Sequence, residues 1–529
     1  MTSHNDIDFS HSSAAVEAIA SPPAKAGARE WLGLALLALP TVLLGLDLTL
    51  MHLALPALAA DLQPTSTQAL WIMDAYGFMI AGFLITMGTL GDRIGRRKLL
   101  MIGAAAFAAA SVIAAFSTSA VMLIATRAAL GVAGATLMPS TLALISTLFA
   151  DPGERAVGFG IWATMFGIGY ALGPVVGGVL LEHFWWGAAF LIAVPTVGLL
   201  LLLAPFLLPE YRAPNRGRLD LLSVALSLAV MLPVIYGIKQ IAKYGFALDA
   251  IGAIVVALIF GILFVQRQRR LADPLLDMTL FANRTFSVAL IVLLFGLVAV
   301  GGTMLLVAQY LQLVAGYSPS VAGLWMGLAA LAMIAGGVAA PLIARYVRPG
   351  FVVAGSLGLS VVGYLMLTQL GNDASGVAIV VAGLALAYLG NGTIAALGTD
   401  LVVGSAPPEK AGSASAMTET VQDLGVSLGI AVLGSLATAV YRQTLLDRIP
   451  DDLTDEARKA VSDSLWGASS VATELPDGLI EEAQAAFTAG FNGAAIFSAV
   501  SVAILAIITI VALRHVGSSG NTIEDATDD

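Results

Sequence analysis

Cysteine is absent from all 529 residues, so neither a disulfide framework nor a thiolate metal site can form, and the redox compartment is not legible. Histidine is nearly as scarce. The five, His4, His11, His52, His183 and His515, stand without ligand spacing, so no bound metal is expected. Charge is the third scarcity: Asp, Glu, Lys and Arg make up 11% of the chain, where soluble domains carry roughly a quarter. No phosphate loop of the Gly-x-x-x-x-Gly-Lys type, Ser/His/Asp set or metal cluster is legible, which argues against direct ATP drive and against a membrane enzyme. Residues 1–30 lack the charged start and short apolar run of a cleaved signal and are read as a disordered cytoplasmic tail. The net charge of −10 gathers in water-exposed stretches, including an acidic cytoplasmic tail at 514–529, and gives no reason to expect nucleic acid.

What the chain has in plenty is apolar surface. Hydrophobic residues are 58% of the total, and the mean hydropathy is +0.90. They fall in continuous blocks of about 20 residues, the length a helix needs to cross about 30 Å of hydrocarbon, and not in the alternating segments of a β-barrel. The pattern predicts 14 spans, at roughly 31–51, 69–90, 98–117, 120–148, 155–181, 187–209, 219–239, 246–266, 286–312, 320–344, 350–370, 376–404, 411–440 and 489–513. Arginine and lysine gather in alternate connections, as at Arg93 to Lys98, Arg155, Arg212 to Arg218, Arg267 to Arg284, Arg345 and Lys410. Cytoplasmic loops accumulate these residues, so both termini are expected inside. Among the short opposite connections one is basic, with Lys239 and Lys243. The acidic stretch 441–488 is expected outside, as a solvated amphipathic hairpin or as a weak negative field at the outer mouth.

The connection at 150–158 resembles that at 406–412, which points to a duplication of six spans. The expected organisation is a bundle at 31–209, two inserted helices at 219–266 and a second bundle at 286–513.

Four motifs carry chemistry. Residues 88–98 read Gly-Thr-Leu-Gly-Asp-Arg-Ile-Gly-Arg-Arg-Lys, with Gly88, Gly91 and Gly95 permitting a sharp turn and Asp92, Arg93 and Arg96 supplying charge. Arg127 precedes close-packing glycines in span four. Span five carries Gly169, Gly173, Pro174, Gly177 and Gly178, a set able to pack backbone on backbone and to bend. Leu46-Asp47-Leu48-Thr49 and Trp71-Ile72-Met73-Asp74-Ala75-Tyr76 occupy the first two spans. Together these resemble the major facilitator superfamily, and within it the fourteen-helix drug:proton antiporters of the QacA type, over about residues 31–513. The resemblance implies an all-α polytopic membrane protein of two six-helix bundles plus two helices between them. It also implies a conformational role for residues 88–98 and gating by the Gly/Pro set, whose plainer role is helix packing.

Ionisable groups inside a bilayer cost several kcal/mol and are candidates for function. Asp47 and Asp74 are expected near the outer half, Glu419 and Asp423 one turn apart in span thirteen, Asp400 near an inner helix end, and Arg127 as the only cation well inside a span. Carboxyls in low dielectric can take up and release protons near neutral pH, as antiport with protons requires. Asp47, Asp74, Glu419, Trp71 and Tyr76 are assigned to substrate, and Glu419, Asp423, Asp47 and Arg127 to proton coupling. For Asp47 and Asp74 the plain alternative is an interfacial residue; for Asp400, a wetted helix end; for Arg127, a structural partner. The expected function is export of lipophilic organic cations across the cytoplasmic membrane by a monomer. The expectation includes protons and lipids as partners and no cofactor beyond the proton gradient. The alternative is a dedicated exporter of one endogenous metabolite or antibiotic.

Overall fold

The computed structural model describes residues 25–212, 220–245, 247–271, 274, 276–371, 376–407, 410–450 and 453–516. Most of both expected tails, together with Arg216, Arg218, Glu409, Asp451 and Asp452, lies outside the described residues. Within them every regular element is helical, and fourteen helices are long and apolar enough to cross a membrane. A helix bonds its own backbone groups internally, which lipid demands. The first six are α1 (Ala28–Leu62), α2 (Ser66–Ile94), α3 (Arg96–Ala115), α4 (Ala120–Leu148), α5 (Pro152–His183) and α6 (Ala188–Leu207). Then come α7 (Leu221–Tyr244), α8 (Leu248–Gln268), α9 (Arg284–Val314), α10 (Pro319–Ala344), α11 (Pro349–Leu367), α12 (Gly376–Gly404), α13 (Ala411–Leu445) and α14 (Leu479–Leu513). Local chemistry starts them where the chain dictates. Thr65 and Gln68 form a capping box on α2, and Asp151 caps α5 ahead of Pro152.

The packing repeats. In the first half α1 lies on α5, α2 and α3 on α4, and α3 on α6; in the second, α9 lies on α13, α10 and α11 on α12, and α11 on α14. Each second pair is the first advanced by eight helices, as a duplicated six-helix bundle separated by two added helices requires. Each half buries its own apolar core. Outward, the apolar side chains stay exposed, as at Leu202, Leu258 and Ile507, the inverse of a water-soluble surface.

The halves meet along α5 with α10 and α2 with α13. Near the end that bears the α13–α14 connection the contact is backbone-close: a methyl on Gly178 would overlap the Pro319 carbonyl, and one on Gly323 the Pro174 carbonyl. Toward the opposite, basic end, the same stripe of α5 continues at helical spacing through Gly167, Thr164 and Gly160. There Thr164 is exposed and the two glycines face open space. The bundle is closed at one end and parted at the other.

Two expectations change. The segment 441–488 is not simply a solvated hairpin, because its short helices Asp455–Asp463 and Leu465–Ser470 pack down on the closed end, burying Val461, Leu465 and Trp466. Residues 479–488 already belong to α14: Leu479, Ala483, Ala486 and Phe487 are buried on one face, while Glu481 and Glu482 on the other depress the hydropathy that marked the expected start. Likewise α1 runs on to Leu62, which leaves Asp47 near the middle of the helix and not late in it.

Candidate functional site

Arg127 is the hub of the first half. Its Nη1 meets Asp47 Oδ2 of α1 at 2.9 Å, its Nε donates to the Ile72 carbonyl of α2 at 3.1 Å, and its guanidinium lies 4.5 Å over the Tyr76 ring. Both Arg127 and Tyr76 are buried, and the Tyr76 hydroxyl has no hydrogen-bond partner among the described residues. One side chain thus ties α4 to α1 and α2.

Asp74 is fully buried, and its partner is Lys239 of α7, whose Nζ lies 2.7 Å from Asp74 Oδ2 and 4.1 Å over the Trp71 ring. Two readings are corrected by this pair. Lys239 does not belong to an exposed basic connection, and Arg127 is not the only cation inside a span. The lysine was obscured by its place near the end of an apolar run, ahead of Lys243, where a lysine ordinarily reaches for the interface. A further buried ionisable group, His52 on α1, has both ring nitrogens without a partner among the described residues. Nothing in its spacing had singled it out.

In the second half, Asp423 is 9% exposed, with Oδ2 unpartnered among the described residues. Glu419, one turn away, is half-buried, and Asp400 is exposed, in keeping with a wetted helix end. α13 crosses α2 here: a methyl on Gly77 would collide with the Ser427 hydroxyl. Asp74 and Asp423 therefore flank one crossing between the halves, and Asp47 is paired with Arg127. A groove between α1, α5 and α6, lined by Leu34, Val42, Ile161, Met165 and Thr196 among others, contains no ionisable side chain. The chemistry lies elsewhere.

The glycine motifs have structural partners. A methyl on Gly169 would overlap the Val42 carbonyl and one on Gly173 the Thr49 hydroxyl; Thr49 Oγ1 donates to the Tyr170 carbonyl at 3.0 Å, and Gly177 rests on Leu50. These seat α5 on α1, while Pro174 and Gly178 face α10. At the basic end, Gly95 turns the chain with φ of +113°, a conformation disfavoured for any side chain, and Glu210 fills the space a Cβ would need. Asp92 and Arg96 pair across this turn at 2.6 Å, and Arg96 Nη1 donates to the Pro139 carbonyl of α4 at 3.4 Å. Arg97 donates to the Leu208 carbonyl at 3.0 Å, beyond α6. Gly88 and Gly91 lie on the same helix end, Gly91 against Arg96 and Leu99. Outside the spans, Lys410 Nζ lies 2.6 Å from Asp277, and with Thr279 it holds that carboxyl down to about 2 from an ordinary 3.8.

Residues 37–430 match the family model described as Major Facilitator Superfamily. The chain is 41% identical over 491 residues to the multidrug efflux pump LfrA of Mycolicibacterium smegmatis, covering 92% of this chain and 97% of that protein. It is 34% identical to the methyl viologen resistance protein SmvA of Salmonella typhimurium, with 85% and 90% covered. To the probable actinorhodin transporter of Streptomyces coelicolor it is 32% identical, with 86% and 78% covered. Among solved structures, a bacterial homolog of the human lysosomal transporter Spinster, in an inward-facing and unoccupied conformation, superposes with a TM-score of 0.66 at 15% identity, covering 92% of this chain and 97% of that one. That likeness concerns the fold.

Proposed function

The chain belongs to the Major Facilitator Superfamily, and from that membership we propose that it is a proton-coupled antiporter carrying lipophilic organic cations out across the cytoplasmic membrane. That it is a multi-pass membrane transport protein among efflux pumps, and not an enzyme, follows from the relatives and the fourteen apolar helices. The finer reading is supported above all by one observation. Asp423 is buried with an unpartnered oxygen, one turn from Glu419, on the helix by which the second half crosses the first. Two carboxyls so placed cannot both be ionised cheaply, so at least one holds a proton while the site is empty. An arriving cation offsets the second negative charge and the proton leaves; once the drug has gone, the acid takes a proton from the outer side. With the basic end assigned to the cytoplasm, both termini lie inside and the parted end of the bundle faces the compartment from which drug is drawn. Methyl viologen, named for the Salmonella relative, is an organic cation, in keeping with this substrate class. The actinorhodin relative favours the second reading, a dedicated exporter of one metabolite by the same mechanism.

The test is proton release when tetraphenylphosphonium is added to purified protein in weakly buffered detergent. Release is expected to fall strongly in either Glu419→Gln or Asp423→Asn and to vanish in the double variant. Full release from the double variant would remove these acids from the coupling path.

A further inference from the structure

A cation is already seated on Asp74. Lys239 comes from α7, one of the two helices inserted between the halves, and its ammonium lies 2.7 Å from the carboxylate and 4.1 Å above the indole of Trp71. A carboxylate with an aromatic face beside it is the pair of groups by which proteins hold organic ammonium ions. The side chains of Lys239 and Asp74 are 1% and 0% exposed, so both ions have given up their water. Such a pair is a poor way merely to fasten two helices, because the cost of desolvating both ions offsets much of their attraction. The chain fastens α7 to α8 with apolar contact, as at Gly237 against Ile254. The location matters too. Phe78 of α2, Ile235 of α7 and Ala431 of α13 form one buried cluster, with Trp71 packed against it. Lys239 thus enters where the inserted helices touch the crossing of the two halves.

We propose that Lys239 is a tethered competitor, occupying the cation subsite built by Asp74 and Trp71, so that an organic cation reaches this subsite only by displacing the lysine. The inference deepens the cation-export reading and rests on it. Lys239 then acts as a specificity residue. A ligand must offer more than an ammonium does, through diffuse charge and broad apolar contact with Trp71, whereas a small hydrated amine gains nothing by the exchange. Displacement also carries consequence beyond the subsite, because a lysine that leaves Asp74 removes the ion pair between α7 and α2 and leaves their apolar contact alone.

Calorimetric titration of the detergent-purified full chain with tetraphenylphosphonium tests this. Lys239→Met should bind the cation about tenfold more tightly than the wild type, and the gain should disappear in the Asp74→Asn/Lys239→Met double variant. Absence of a gain, or a gain that survives in the double variant, would overturn the proposal. A second measurement uses the unaltered protein, since Lys239→Met leaves a buried unpaired carboxylate and folding can suffer. Acetylation of Lys239 by an amine-reactive reagent, read by mass spectrometry, should rise when tetraphenylphosphonium is added; unchanged labelling with the cation bound would count against displacement. A wild type that neither binds nor exports the cation would contradict cation export, yet an Asp74-dependent gain in Lys239→Met would still uphold the tethered competitor.

Discussion

Arg127 bonds to Asp47, to the Ile72 carbonyl and to the face of Tyr76 at once, and the energetics of such a hub are asymmetric. Removing one member of a buried pair strands the other, at a cost of about 3–5 kcal/mol, whereas removing both together costs much less. Arg127→Met should therefore lower the melting temperature in detergent markedly, and adding Asp47→Asn should restore most of the loss. Equal melting temperatures for the single and double variants would show that Asp47 is not its principal partner. At this scale the sequence was half informative. A lone Asp or Arg in an apolar run announces its own cost, so Asp47, Asp74, Arg127, Glu419 and Asp423 were all legible. Lys239 was not, since a lysine near a helix end has a cheap way out to water, and only Asp74's need for a partner hinted at it.

Among the elements, the seam between α5 and α10 depends on the absence of side chains. Gly323→Val would drive a methyl into the Pro174 carbonyl and keep this end from closing. Such a variant should shift the population toward the form parted at the α13–α14 end, detected as increased alkylation of a cysteine placed at Ser320 in a chain that has no other. Unchanged alkylation would mean that the seam tolerates the methyl by local shifts. The connections carry a different sensitivity. Asp277, titrating at about 2 instead of 3.8, contributes stability above pH 4 that is lost as the pH falls toward 2. Its partner Lys410 is partly exposed, so the pair is worth about 0–1 kcal/mol. The small excess in melting temperature of the wild type over Asp277→Asn should shrink from pH 5 to pH 3. An excess that grows on acidification would contradict the pairing. Element positions were well read from hydropathy, because the bilayer imposes one length and one solvent on every span. The ends were missed where an amphipathic turn continues a span into water, as at Leu479 and Leu62, since averaging over a window dilutes a buried face with its charged opposite.

For the whole molecule, duplication and the count of fourteen were readable, while the closure of one end was not. Closure depends on long-range contacts that no local pattern encodes. Asp463 is the sharpest case: it accepts hydrogen bonds from the backbone N–H and hydroxyl of Ser66, at the start of α2, and pairs with Arg442 of α13 at 2.9 Å. In sequence it is one acid among several in a polar stretch; in the fold it fastens the first half to the second across the closed end, with Trp466 buried in the first half's core beside it. An alternating-access transporter must break these bonds to part this end, so they bear on the balance between the two forms. Charged hydrogen bonds contribute about 1.5–3 kcal/mol each, and about 1.4 kcal/mol is tenfold in a population. Asp463→Ala should therefore raise the fraction parted at this end about tenfold or more. Spin labels on Gln63→Cys and Ser320→Cys, one on each half at this end, should show distances redistributed to longer values in Asp463→Ala. Arg442→Met should move them the same way by less, because the Ser66 bonds remain. Unaltered distances in both variants would remove the acidic loop from the gate and leave closure to the α5–α10 seam alone.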